Sequence, residues 1–265
     1  MMCHEFVETD DRKIDSVQAL MDAIADFAES HPGSSVYFRG HEKDSWELIP
    51  TVGRKNSYWH AGKAIGIFDK RQERDLLHRF RRYAHAYLGR RPDEWEGLFL
   101  ARHHGLPVRL LDWTSNPLVA LYHATAFGKE AQTDGAMWGL VARPDLTYLD
   151  VLKNKTSPLD IRGVRMIYPI AVSPRIMAQC SFFTLHGEPR IPLENQSPRD
   201  YHDLSEFDFI KLKRWSVAAM DKAKLLDELS RVSINFQTLY PDLDGLATGL
   251  WHTEALRGVP SDCHA

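Results

Sequence analysis

The stretch from His103 to Pro117 constrains the fold more than any other in the chain. Gly105-Leu106-Pro107 makes a turn, and the apolar run through Val108, Leu110 and Leu111 predicts a short buried strand. That strand ends on Asp112-Trp113-Thr114-Ser115. Asn116 then offers a side-chain oxygen for an N-cap, and Pro117 suits the first helical position, where a missing N–H costs nothing. Leu118, Leu121, Tyr122 and Thr125 follow at helical spacing. A strand that feeds a helix, with hydroxyls and a carboxylate at the junction, suits a ligand, because the first helical amides are unpaired and favour negative charge.

The flanking sequence supplies alternating helices and strands. Ile14, Val17, Leu20, Met21, Ile24 and Phe27 predict an amphipathic helix over 14–30, stopped by Pro32-Gly33. Val36 to Gly40 reads as a strand with Arg39 near its end, and Trp46 to Pro50 as a second, followed by a polar loop through Gly66. A long helix starts near Asp69, with Leu76, Leu77, Phe80, Tyr83 and Ala84 on one face, and another starts at Asp93. Further strands are expected at Gly135–Ala142, Met166–Ile170, Ser181–Leu185 and Phe207–Leu212. A short helical or turn segment covers Ser173–Gln179, a loop 188–202, and a helix Met220–Val232. A last short helix follows Leu246, and the tail frays from Gly258. No repeat or linker interrupts this pattern. The expectation is therefore a single α+β domain over 1–265, core about 35–250, with a mixed, partly split β-sheet flanked by helices.

Composition removes several classes of function. With 43% hydrophobic and 26% charged residues the chain reads as an ordinary soluble protein, and a net charge of -3 argues against binding nucleic acid by charge alone. The Arg79-Arg81-Arg82 face, with Arg90-Arg91 after it, reads as a solvated helix surface. The three cysteines, Cys3, Cys180 and Cys263, are far apart and show neither metal spacing nor a disulfide framework. No basic, then apolar, leader opens the sequence and no run approaches the length of a membrane span, so a cytoplasmic address is expected. His103 and His104 are adjacent with no third ligand at spacing, and Asp242-Leu243-Asp244-Gly245 lacks the downstream acid of a calcium loop, so no metal site is expected.

Three blocks resemble the FRG domain family, named for the Phe-Arg-Gly that stands here as Phe38-Arg39-Gly40. The second runs from His103-His104-Gly105-Leu106-Pro107 through Leu110-Leu111-Asp112-Trp113-Thr114 to Ala120-Leu121-Tyr122. The third pairs Gln179 with Phe183-Thr184-Leu185-His186-Gly187, and the tail Leu239 to Leu246 also fits. The resemblance runs over nearly the whole chain, although Val108 stands where the family shows Thr, and Cys180-Ser181 where it shows Gln-Gly. The layout is also similar to the ADP-ribosyltransferase plan. There, an early strand-borne Arg or His, a Ser/Thr-bearing strand before a helix, and a late Gln or Glu together grip NAD. Here Arg39, then Thr114-Ser115, then Gln179 or Glu188 follow in that order.

The resemblance implies an ADP-ribosyltransferase-like fold and an enzyme that uses NAD to modify a macromolecular acceptor or hydrolyses it, in a role such as a toxin or phage-defence effector. Arg39, Gln179 and Glu188 are then the candidate catalytic residues, and His104, Arg109, Asp112, Trp113, Thr114 and Ser115 the candidate NAD-binding ones. Each has a plainer reading. Arg39 suits a pyrophosphate or an ion pair with Asp112. Asp112 suits a ribose hydroxyl, a developing cation, or an arginine of the protein. Trp113 suits a stacked nicotinamide or the core, Ser115 a ligand or the helix cap. Gln179 is neutral, so a carboxylate from Glu188, Glu42 or Asp112 must set the negative potential beside the ribose. Two other functions remain open: a non-catalytic module binding a nucleotide or a protein, and a nuclease, for which clustered carboxylates are missing.

Overall fold

A computed structural model describes residues 6–54, 58–60, 63–65, 69–125, 132–146 and 148–257. Among them the frayed tail expected from Gly258 is not included. Seven strands form one mixed sheet in the order β1-β9-β6-β2-β5-β8-β7. These are β1 (Val7–Lys13), β2 (Val36–His41), β5 (Leu110–Thr114), β6 (Gly135–Ala142), β7 (Val164–Ile167), β8 (Ser181–His186) and β9 (Phe209–Val217), while β3 (Tyr58–His60) and β4 (Lys63–Ile65) pair by themselves. Only β1 and β9 run parallel; the other pairs in the sheet are antiparallel.

The expected split in the sheet has a definite place. β2 pairs with β6 along its whole length, from Val36 opposite Val141 to His41 opposite Ala136. Toward β5 it pairs at Phe38 opposite Thr114 and nowhere else among the described residues. Beyond that pair the two strands part.

Helices cover one face in two groups. α1 (Val17–Glu29), α4 (Pro117–Thr125) and α6 (Lys222–Arg231) bury Leu20, Phe27, Leu121 and Leu225 with Phe38, Met137 and Trp215. α2 (Lys70–Leu88) and α3 (Glu94–His103) bury Leu77, Leu98 and Phe99 with Leu110, Phe183 and Leu185. Strand alternation sends Tyr37, Leu111, Trp113, Trp138 and Leu140 into a third cluster with Leu48, Leu193 and Phe207. The remaining helices are α5 (Pro174–Ala178), α7 (Phe236–Leu239) and α8 (Leu243–Arg257).

Local signals place the starts of α2, α3 and α4 as expected, while α1 starts at Val17 rather than Ile14 and α6 at Lys222 rather than Met220. Ser16, Asp69 and Asp93 cap α1, α2 and α3 with side-chain oxygens, and Asn116 Oδ1 accepts from Leu118 N at 3.0 Å. Four further expectations change. Trp46–Pro50 is irregular rather than a strand, with Leu48 N held at 3.1 Å by Glu194 Oε1. The loop through Gly66 contains the β3–β4 pair. Tyr83 is exposed, since the buried line of α2 runs through Glu73 and Leu77. Strand β1 went unread because its charges answer a partner: Lys213 Nζ lies 2.9 Å from Glu8 and 3.0 Å from Asp10.

Candidate functional site

A cleft of about 410 Å³ opens where β2 and β5 part, between the two groups of helices. Each residue of Phe38-Arg39-Gly40 has a separate task there. Phe38 packs into the core under α1 and α4. Gly40 lets α4 touch the sheet, for a Cβ built there would lie 1.9 Å from Ala120 O. Arg39 fills the gap itself: its Nη1 donates at 2.7 Å to Asp112 O, a carbonyl that a closed sheet would give to a strand amide. Arg39 Nε donates to His41 Nε2 at 3.0 Å, and His41 Nδ1 lies 3.1 Å from Trp46 O. This chain of bonds needs a neutral His41 with its proton on Nδ1. Burial and the nearby Arg39 hold its pKa well below the ordinary value, in agreement.

Asp112 sits between two guanidinium groups. Arg102 Nε donates at 3.1 Å to Oδ1 and Arg102 Nη2 also bonds Oδ2, while Arg39 Nη1 lies 3.5 Å from Oδ2. Burial alone would raise its pKa; the two arginines instead bring it down to about 2. Arg39 in turn is drawn down to about 10 by burial, against the pull of Asp112. Arg54 and Arg175 also line the cleft, with Asp112 and Glu42 as its acids. Asp242 neutralises Arg175 from the exposed side. The balance favours an anion, and planar guanidinium groups suit phosphate oxygens.

Thr114 and Gln179 come to the same cleft, from β5 and from the end of α5. Both are engaged by the backbone. Thr114 Oγ1 donates to Gln179 O at 2.7 Å and accepts from Asn116 N at 3.0 Å; Gln179 Nε2 donates to Leu239 O at 3.1 Å. This last bond brings Tyr240 to the cleft wall, where Arg175 lies over its ring. Cys180, which follows Gln179, takes a left-handed φ of 47° to turn the chain into β8.

Five expected site residues stand elsewhere or turn away. Arg109 is sealed in the core, its Nε 3.0 Å from Glu73 Oε1, and ties β5 to α2. Glu188 is exposed and does not line the cleft, because β8 starts there at Ser181 and runs away from it to His186. His104 ends α3 facing solvent; His103 is the member of that pair on the cleft. Ser115 is exposed, and Asn116 rather than Ser115 caps α4. Trp113 borders the cleft with its strand, but its indole is buried in the opposite cluster and donates to Thr184 Oγ1 at 3.1 Å. Of the residues that do line the cleft, the sequence signalled Arg39, Glu42, Asp112, Thr114 and Gln179. It offered no local signal for His41, Arg54, Arg102, His123 or Arg175, which converge only through the fold.

Among the described residues no group of three or more His, Cys, Asp or Glu side chains is placed to hold a metal ion, and no helix is long and apolar enough to cross a membrane. Fold and site together define an α+β protein with a cationic cleft over a split sheet. Residues 34–133 match the family model of the FRG domain. The match begins just before β2 and continues past α4, taking in Phe38-Arg39-Gly40 and the stretch from His103 to Tyr122. Gln179 and the C-terminal block, which also reach the cleft, lie outside it. No curated protein and no solved structure matches the chain.

Proposed function

We propose that the cleft binds NAD or a related nucleotide through its phosphates, and that the protein is an ADP-ribosyltransferase-like enzyme acting on a macromolecule or on water. One observation carries the reading: Arg39, Thr114, Gln179 and two carboxylates, from distant parts of the chain, line one cleft. Its volume of about 410 Å³ falls in the range of small-molecule pockets. Arg39 and Arg102 face the pyrophosphate. Cleavage breaks the bond between nicotinamide and ribose; the electron pair leaves with nicotinamide, and the ribose carbon develops positive charge until a nucleophile attacks it. Asp112, ionised across the physiological range, and Glu42 supply the negative potential that this charge needs.

The test is nicotinamide release from NAD by the purified protein. Arg39→Ala and Glu42→Gln should each slow release at least tenfold, and Glu188→Gln should leave it unchanged. Full activity in both of the first two variants would end the assignment. A second reading, binding without turnover, is favoured by one feature: Asp112, Thr114 and Gln179 already bond the protein. Calorimetric binding of NAD with no nicotinamide formed over hours selects it.

A further inference from the structure

We propose that His123 is the contact through which the cleft reads the sugar of a phosphorylated ligand, so that a nucleotide is held in preference to bare phosphate. The inference rests on the nucleotide reading above and narrows it.

His123 is on α4, whose backbone is pressed against β2 at Gly40; a Cβ on Gly40 would lie 2.9 Å from His123 C and 1.9 Å from Ala120 O. Close packing of this kind fixes the backbone that carries His123 against β2, the strand of Arg39. The ring lines the cleft and is half-buried. Among the described residues neither ring nitrogen has a hydrogen-bond partner, and the half-buried ring reaches the cleft. Arg39, Asp112 and Thr114, by contrast, all have hydrogen-bond partners within the protein. Tyr240 and Ser181, from two further elements, share the cleft, and their hydroxyls likewise make no hydrogen bond among the described residues.

These three groups are chemically unlike the arginines. Burial and the adjacent Arg39 hold the His123 pKa down to about 4, with Asp112 pulling the other way. The imidazole is therefore neutral at physiological pH, with one nitrogen donating and one accepting. Such a group pairs with a hydroxyl, which also donates and accepts. An anion needs only donors, and the guanidinium groups supply those. Half-buried polar groups without partners gain most from a ligand that satisfies them. A sugar attached to phosphates held at Arg39 and Arg102 meets that description.

Calorimetry on the full chain with NAD and with inorganic pyrophosphate tests this. His123→Ala should weaken NAD about tenfold, the loss of one good hydrogen bond, and leave pyrophosphate within twofold. His123→Gln, which can still donate and accept, should recover most of the NAD affinity. Arg39→Ala should weaken both ligands. In the wild type, the His123 ring nitrogen resonances should shift with NAD but not with pyrophosphate. If the wild-type protein binds neither ligand, the nucleotide reading itself fails. If it binds both and His123→Ala binds NAD as tightly as wild type, the sugar contact is wrong while the nucleotide reading stands. Equal loss of both ligands, at an unchanged melting temperature, would also overturn the contact and make His123 a support for the arginines.

Discussion

Arg39 is held at two backbone-linked points before any ligand arrives: the Asp112 carbonyl at 2.7 Å and, through His41, the Trp46 carbonyl. A lysine has neither a second donor nitrogen nor the planar fork, so Arg39→Lys should lose anion affinity nearly as fully as Arg39→Ala in the same titration. Gly40 answers to geometry alone. With Ala120 O only 1.9 Å from a built Cβ, α4 must retreat in Gly40→Ala, and urea denaturation should register a loss of about 2–3 kcal/mol, as overpacking does. Asp112 sets an acid limit. Its folded pKa of about 2 is below the usual carboxylate value near 3.9. Its stabilisation is therefore complete above about pH 4 and vanishes as pH falls toward 2. In Asp112→Asn, melting temperature between pH 4 and 2 should fall less steeply than in wild type. An equally steep fall would mean that the arginine cluster does not stabilise the fold.

The pairing of α2 with β5 accounts for the misplacement of Arg109. In sequence it stands three residues before Asp112 and invites the same reading; in the fold its side chain meets Glu73, and both are almost wholly buried. Removing one member leaves an uncompensated buried charge, so Glu73→Gln should cost about 3–5 kcal/mol by urea denaturation. The double variant Glu73→Leu with Arg109→Met should recover much of that loss. The strands β2, β5, β6 and β8 were legible because apolar runs and turn residues are local facts, and so were the helix starts at Asp69, Asp93 and Asn116. Strand β1 was not, since Glu8 and Asp10 become strand residues only opposite Lys213. Nor was the irregular path of Trp46–Pro50, which depends on Glu194.

Across the whole molecule, His41 and His186 are kept neutral by burial, and half-buried His123 by partial desolvation and the nearby Arg39, with pKa values well below 6.5, about 3 and about 4 respectively. Each folded value is below the unfolded one. Stability from these sites is thus present above about pH 6.5 and lost as pH falls through the histidine range. Unfolding at pH 5.5 should take up about two to three protons, read as the slope of unfolding free energy against pH; a flat profile from pH 6.5 to 4.5 would refute the burial of these rings. The same three residues mark what a sequence can hold. Hydrophobic periodicity and capping residues, read a few positions at a time, determined most of the elements, the strand-to-helix junction at Asp112–Pro117 and the Phe-Arg-Gly strand. Only the tertiary structure decided that β2 and β5 part after a single pair, that Arg102 and Arg39 share Asp112, and that Glu188 leaves by the far end of β8. Those outcomes are set by distances between groups far apart along the chain, which no local spacing encodes.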